Sequence, residues 1–136
     1  MEKTISHKSI FLASLDRCTE SEEFVPAFYQ RFMDSSEDVR WRFRNTDFEK
    51  QNQMLVNSLK LVAAATSGDR DGLRELRERA ETHDRHHLDI KPELYEFWLE
   101  SLVATASEFD ELLRDDIEES WRHILSHAAD YMIRRY

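Results

Sequence analysis

The sequence predicts an all-α protein, and three observations carry that prediction. The chain has 136 residues but only two glycines and two prolines. Barrels and sandwiches need many tight turns, which draw on Gly, Pro, Asn and Asp, so this punctuation is too sparse for a sheet protein. Hydrophobic residues make up 40% of the chain, enough to build a real core in one domain of this size. Their spacing follows the helical period almost throughout, which predicts six or seven helices in a single domain over 1–136.

Each element has its own grounds. Ile10, Phe11 and Leu15 share one side of a first helix from about Ser6 to Arg17. Thr19 and Glu22 read as a capping box for a second helix, which carries Phe24, Phe28, Tyr29, Phe32 and Met33 to about Asp34. Pro26, placed past its first turn, is expected to bend it. A short helix follows over Glu37 to Phe43. Thr46 and Glu49 form a second capping box, opening a long helix to about Thr66 with Phe48, Leu55, Leu59 and Val62 inward. Ser67-Gly68-Asp69 ends it, and a charged helix starts near Arg70 with Leu73, Leu76 and Ala80 on one stripe. His83 to Lys91 is a corner, and Pro92 suits the first turn of the next helix. Tyr95, Trp98, Leu99, Leu102 and Phe109 give that helix its apolar face. The last helix runs from about Asp116 on Ile117, Trp121, Ile124, Ala128 and Met132.

Charge and composition exclude several function classes. The net charge of -9 repels phosphate, so neither nucleic acid nor an anionic membrane surface is an expected partner. The basic residues cluster only at Arg40, Arg42 and Arg44, around Trp41 and Phe43. The mean hydropathy is -0.70, yet the apolar content argues against a disordered chain. Cys18 is the single cysteine, which rules out an internal disulfide and a zinc site of several thiolates. The N-terminal stretch shows no signal-peptide pattern. No apolar run reaches the roughly 18 residues of a membrane span. A cytoplasmic location is the expectation.

The stretch THDRHHLDI, Thr82 to Ile90, concentrates three of the six histidines. Four readings of it stand open on the residues alone. Zinc would be held by His83 and His87 at i, i+4, but no HExxH or cysteine partner supports it. A solvated, partly charged corner is the plain alternative. A catalytic base lacks a visible nucleophile. A single imidazole ligating haem iron is the fourth. His7, His123 and His127 lie in helices without evident partners.

The order of the surrounding pieces narrows this. FYQRF is followed by VRWRF, then by Gln51 and Leu55 four apart, then by LRELRERAETH, IKPELY and ESWRHI. From about Phe24 to the C-terminus, this series resembles the globin family, in particular bacterial single-domain haemoglobins, flavohaemoglobin globin domains and haem-sensor globins. The resemblance implies a globin fold around one haem b. Residue by residue, it implies that Tyr29 is the distal tyrosine, Phe43 packs on the haem face and Gln51 is the distal glutamine. Leu55 lies one turn later over the iron, His83 is the proximal ligand, with His86 and His87 as alternatives, and Tyr95 sits on the proximal side. Trp121 matches a structural tryptophan. The implied function is reversible binding of dioxygen, NO or CO. Gas sensing or NO dioxygenation would need a separate signalling partner or reductase, and a homodimer is compatible with the family. A haem-free helical interaction module is the reading from another class.

The chain departs from the family in two places. Ile90 follows His83 by seven positions where an aliphatic residue usually follows the proximal histidine by five, so the corner reads as two residues longer. Where peroxide- and NO-active relatives place a glutamate on the last helix, this chain has Arg135 and Tyr136. Without that carboxylate the histidine lacks a strong electron push, so a gas binder and poor peroxidase is expected.

Overall fold

The computed structural model describes residues 6–136, so the first five residues of the stretch read for a signal peptide lie outside it. Among the described residues there are seven α-helices and no strand: α1 (His7–Cys18), α2 (Phe24–Ser35), α3 (Glu37–Arg42), α4 (Phe48–Ala65), α5 (Arg70–His83), α6 (Leu94–Phe109) and α7 (Asp115–Arg134). Among the described residues no helix is long and apolar enough to cross a membrane.

Helix starts differ from the sequence expectation in instructive ways. Thr19 does not cap α2. Its hydroxyl donates back to the Leu15 carbonyl at 2.9 Å, and the residue closes α1. The second helix therefore begins at Phe24, which puts Pro26 inside the first turn, where no hydrogen bond is lost. The bend expected at Pro26 has no cause. Thr46 is likewise displaced as a cap by Asp47, whose carboxylate accepts from the backbone N–H of Glu49 and Lys50. Pro92 precedes α6 in a turn instead of lying within its first turn.

The core joins all seven helices. Phe11, Leu15, Phe24, Phe28, Leu59, Leu76, Leu102, Trp121, Ile124 and Leu125 are fully buried in it. The edge of the Phe11 ring meets Trp121 at 4.7 Å between centroids, locking α1 to α7. Leu73 is not part of the buried stripe of α5. It is 44% exposed, and the stripe runs through Gly72, Leu76 and Ala80 instead.

Gly72 explains that shift and sets the geometry of the site. A Cβ there would sit 2.4 Å from the Leu61 carbonyl oxygen and 2.6 Å from the Ala65 nitrogen. The helix hairpin α4–α5 is thus pinched at its closed end, backbone against backbone. Leu55 stands ten residues from Ala65 and His83 eleven from Gly72, so at about 1.5 Å per residue both lie roughly 15 Å from the pinch. Gly72→Ala is expected to overpack this contact and cost about 1–3 kcal/mol or more, because the obstacle is backbone that cannot rotate away. Urea unfolding measures it, and a change of only a few tenths would show that the pinch relaxes freely.

Candidate functional site

The roof of the hairpin cleft is aromatic. Tyr29 of α2 is buried, with its ring 5.6 Å from Phe43 and 5.6 Å from Phe48, both edge-on. Phe28 and Phe32 extend the cluster. Burial pushes the Tyr29 phenol up to about 12, and the Gln51 side chain partly opposes the rise. Tyr29 is therefore a neutral O–H donor with a glutamine amide for a neighbour. Leu55 is buried one turn along α4. The structure brings Tyr29, Phe43, Gln51 and Leu55 to one side of the cleft.

The floor is α5. Beside its buried stripe runs a half-buried row, Glu75, Arg79 and His83. The Ser58 hydroxyl on α4 donates to Glu75 Oε2 at 2.6 Å, which turns this row toward α4. His83 is the last residue of α5, and its own carbonyl accepts from the Ile90 N–H at 2.9 Å, closing the corner. The corner turns on Asp89 at φ 52, a left-handed angle that a short polar side chain tolerates. The Thr82 hydroxyl donates to the Arg79 carbonyl at 3.0 Å and leaves its oxygen to accept from His83 Nδ1–H at 3.0 Å. That arrangement leaves Nε2 with a free lone pair. Burial holds the imidazole below its usual range; the Arg79 carbonyl opposes this, and the Arg79 guanidinium adds to it.

The other two corner histidines differ. Because α5 stops at His83, His87 does not continue its helical face. The His87 side chain is 56% exposed, and its Nδ1 pairs with Asp84 at 2.8 Å, which raises its pKa. His86 is exposed. The i, i+4 zinc pair therefore has no common helix, and among the described residues no group of three or more His, Cys, Asp or Glu could hold a metal ion. Tyr95 is buried with Ala80, Ala129 and Met132, against the α5 side, and burial raises its pKa. Tyr136 reaches the corner, but its hydroxyl donates to Asp89 and not to His83. Arg135 lies over the Tyr131 ring.

Three features escaped sequence reasoning. Phe48 is a roof residue as much as a core one. Thr82 orients the imidazole. Arg79, one turn before His83 on the same face, has a buried Nε without a hydrogen-bond partner; counting back four positions from His83 would have found it. Two of the three helical histidines have partners after all, since His7 stacks on His123 at 4.3 Å and its Nδ1 bonds Ser120 Oγ at 2.9 Å. Open surface grooves of about 480 and 500 Å³ lie on α7 and between α6 and α7.

These residues fit a metal that brings most of its own ligands. One neutral imidazole is available where zinc would need three or four protein ligands. The facing side offers aromatic and aliphatic surface with two polar donors. Two buried polar atoms, Asn52 Oδ1 on α4 and Arg79 Nε on α5, lack hydrogen-bond partners. A planar, apolar group with polar substituents suits that lining.

Seven helices in this order, with Tyr29 and Gln51 brought together beside α4 and His83 ending α5, define the class as an all-α globin-fold protein. Among solved structures, the chain is similar to a protein from Pseudomonas aeruginosa PAO1 described as structurally highly homologous to a human hemoglobin. The two share 28% identity over 96% of this chain and 98% of that one, with a TM-score of 0.91. The likeness places the chain in the globin fold. No family model and no curated protein matches it.

Proposed function

We propose that this globin holds one haem b through His83 and reversibly binds dioxygen, and also NO or CO, on the opposite side. The observation that carries the reading is the lone neutral imidazole at the open end of the α4–α5 hairpin, opposite Tyr29, Gln51 and Leu55. Haem, when bound, would supply an iron that takes one protein nitrogen and binds a diatomic gas. His83 presents Nε2, while Thr82 and the Arg79 carbonyl hold the ring in one tautomer. Tyr29 and Gln51 donate to a gas that takes on partial negative charge. Phe43, Phe48 and Leu55 keep water out, which strengthens those donations.

Haem titration with absorption spectroscopy tests this. The wild type, His86→Ala and His87→Ala are expected to take up one haem per chain with a sharp Soret band, and His83→Ala to lose it. Loss in His87→Ala alone would move the ligand, and retention in all three variants would remove the haem reading of the corner. A colourless wild type would leave the haem-free interaction module.

The proximal side argues for gas binding over peroxide chemistry. The hydrogen-bond partner of His83 Nδ1 is the Thr82 hydroxyl, and the nearby carboxylates are taken: Asp84 by His87, Asp89 by Tyr136. No carboxylate pushes electrons through the imidazole. The iron–histidine stretch of the reduced haem-loaded protein, read by resonance Raman, is expected in the low range of neutral-histidine carriers. A peroxidase-like high value would contradict this.

A further inference from the structure

Arg79 stands one turn before His83, on the same half-buried row of α5, and is fixed from one side only. Its Nε lies 3.5 Å from Glu75 Oε2, and its side chain is 38% exposed against 14% for Glu75. That Nε is buried and has no hydrogen-bond partner, a condition native structures rarely leave in a cation. Glu75 is anchored the other way, accepting from the Ser58 hydroxyl at 2.6 Å. Along the helix the order is therefore carboxylate, guanidinium, imidazole. Counted along the backbone at about 1.5 Å rise per residue, Arg79 is about 6 Å from His83 and Glu75 about 12 Å, while the two charged groups themselves meet at 3.5 Å. The pair thus has its cationic residue on the His83 side, and a low-dielectric surrounding strengthens its field.

We infer that Arg79 is a positioning residue for the redox state of the iron: its fixed charge beside His83 favours ferrous over ferric iron, and Glu75 is the counter-charge that moderates it. Ferric iron carries one more positive charge than ferrous, so a neighbouring cation opposes the loss of that electron. A gas binder gains from this, because only the ferrous form takes dioxygen. The inference rests on the haem reading above.

The test is a spectroscopic redox titration of the haem-loaded protein, with dithionite as reductant and soluble mediators. Arg79→Met keeps length and helix propensity and removes the charge. It is expected to shift the ferric-to-ferrous ratio at fixed ambient potential about tenfold toward ferric, which is 59 mV for a one-electron couple. Glu75→Gln keeps an acceptor for Ser58 and removes the counter-charge, so it is expected to shift the ratio severalfold the other way. Arg79→Lys should restore most of the wild-type value. Opposite signs separate charge from loosening, since a cleft merely opened to water would move both variants in one direction. If Arg79→Met fails to fold, the sign of the Glu75→Gln shift still decides. Shifts of the same sign, or shifts below threefold in both, overturn the inference and leave the haem reading standing. A wild type that takes up no haem overturns both.

Discussion

Asp110→Ala is expected to destabilise the protein by about 3–5 kcal/mol, the usual cost of removing one partner of a buried ion pair. The Asp110 side chain is fully buried where α6 ends, against 30% exposure for Arg17 on α1. Arg17 Nε donates to Oδ1 at 2.7 Å and Nη2 to Oδ2 at 2.9 Å. The Ser14 hydroxyl donates to Oδ2 at 2.5 Å, and the Leu112 N–H to Oδ1 at 3.0 Å. Ser14 in turn accepts from Trp121 Nε1 at 2.8 Å. One carboxylate thus ties α1, the α6–α7 turn and α7. For Asp110, desolvation acts to raise the pKa, but the bonds from Arg17, Ser14 and Leu112 outweigh it and hold the group below its usual range.

The sign of the pH dependence follows. A depressed carboxyl contributes stability above its unfolded value, near pH 4, and loses it as pH falls through the lower folded value. Arg17→Met should shift the balance. With the guanidinium gone, desolvation is opposed only by the bonds from Ser14 and Leu112, and the folded carboxyl titrates higher than in the wild type. The deficit of Arg17→Met against wild type is then greatest at pH 7 and shrinks toward pH 3. Urea unfolding at both pH values measures it, and a deficit independent of pH would mean that Arg17 acts by packing alone.

That network was invisible in the sequence, for a physical reason. Ser14 and Arg17 lie more than ninety residues from Asp110 and Trp121, and each residue type is ordinary where it stands. Periodicity reports which face of a helix is apolar, so it identified Phe11, Leu15, Phe28, Leu59 and Trp121 as inward. It does not report which polar residue shares that face with a distant partner. Caps failed for a related reason. Thr19 and Thr46 each satisfy the capping pattern, but the hydroxyl of Thr19 found a carbonyl behind it, and Asp47 offered α4 a stronger acceptor. Local pattern proposes a start, and the competing bond decides it.

The site shows the same division. Tyr29, Phe43, Gln51 and Leu55 were grouped by the order of motifs through its resemblance to globins, not by spacing, which leaves residues on three separate helices free to face elsewhere; the Tyr29 contacts with Phe43 and Phe48 needed the fold. The corner was harder, because three histidines within five positions are equivalent until the helix end is known. The end of α5 at His83 distinguishes them, turning His87 out to Asp84. Gly72 carried no sequence signal of its own, since a helical glycine reads as a weakness until the backbone it admits is seen. Arg42, read only as part of a basic cluster, donates to the Leu88 carbonyl at 2.8 Å and ties α3 to the corner.

Tyr29→Phe is expected to speed dioxygen release by roughly ten- to a hundredfold, if the haem reading holds. The loss is one hydrogen bond to a partly charged acceptor, about 1.5–3 kcal/mol, and about 1.4 kcal/mol is a factor of ten in rate. The phenol suits the task because burial keeps it protonated: with the group pushed up to about 12, the donor is intact across the physiological range. Release should therefore be flat between pH 6 and 9 in the wild type, with no tyrosinate form to weaken binding. Phenylalanine keeps the ring contacts with Phe43 and Phe48, so the substitution removes the donor and little else. CO develops less charge than dioxygen and should respond much less. Stopped-flow or flash photolysis on both gases separates the possibilities. Equal acceleration of both would point to a change in pocket shape. No change in either would make Tyr29 a core residue and leave Gln51 as the sole donor to the gas.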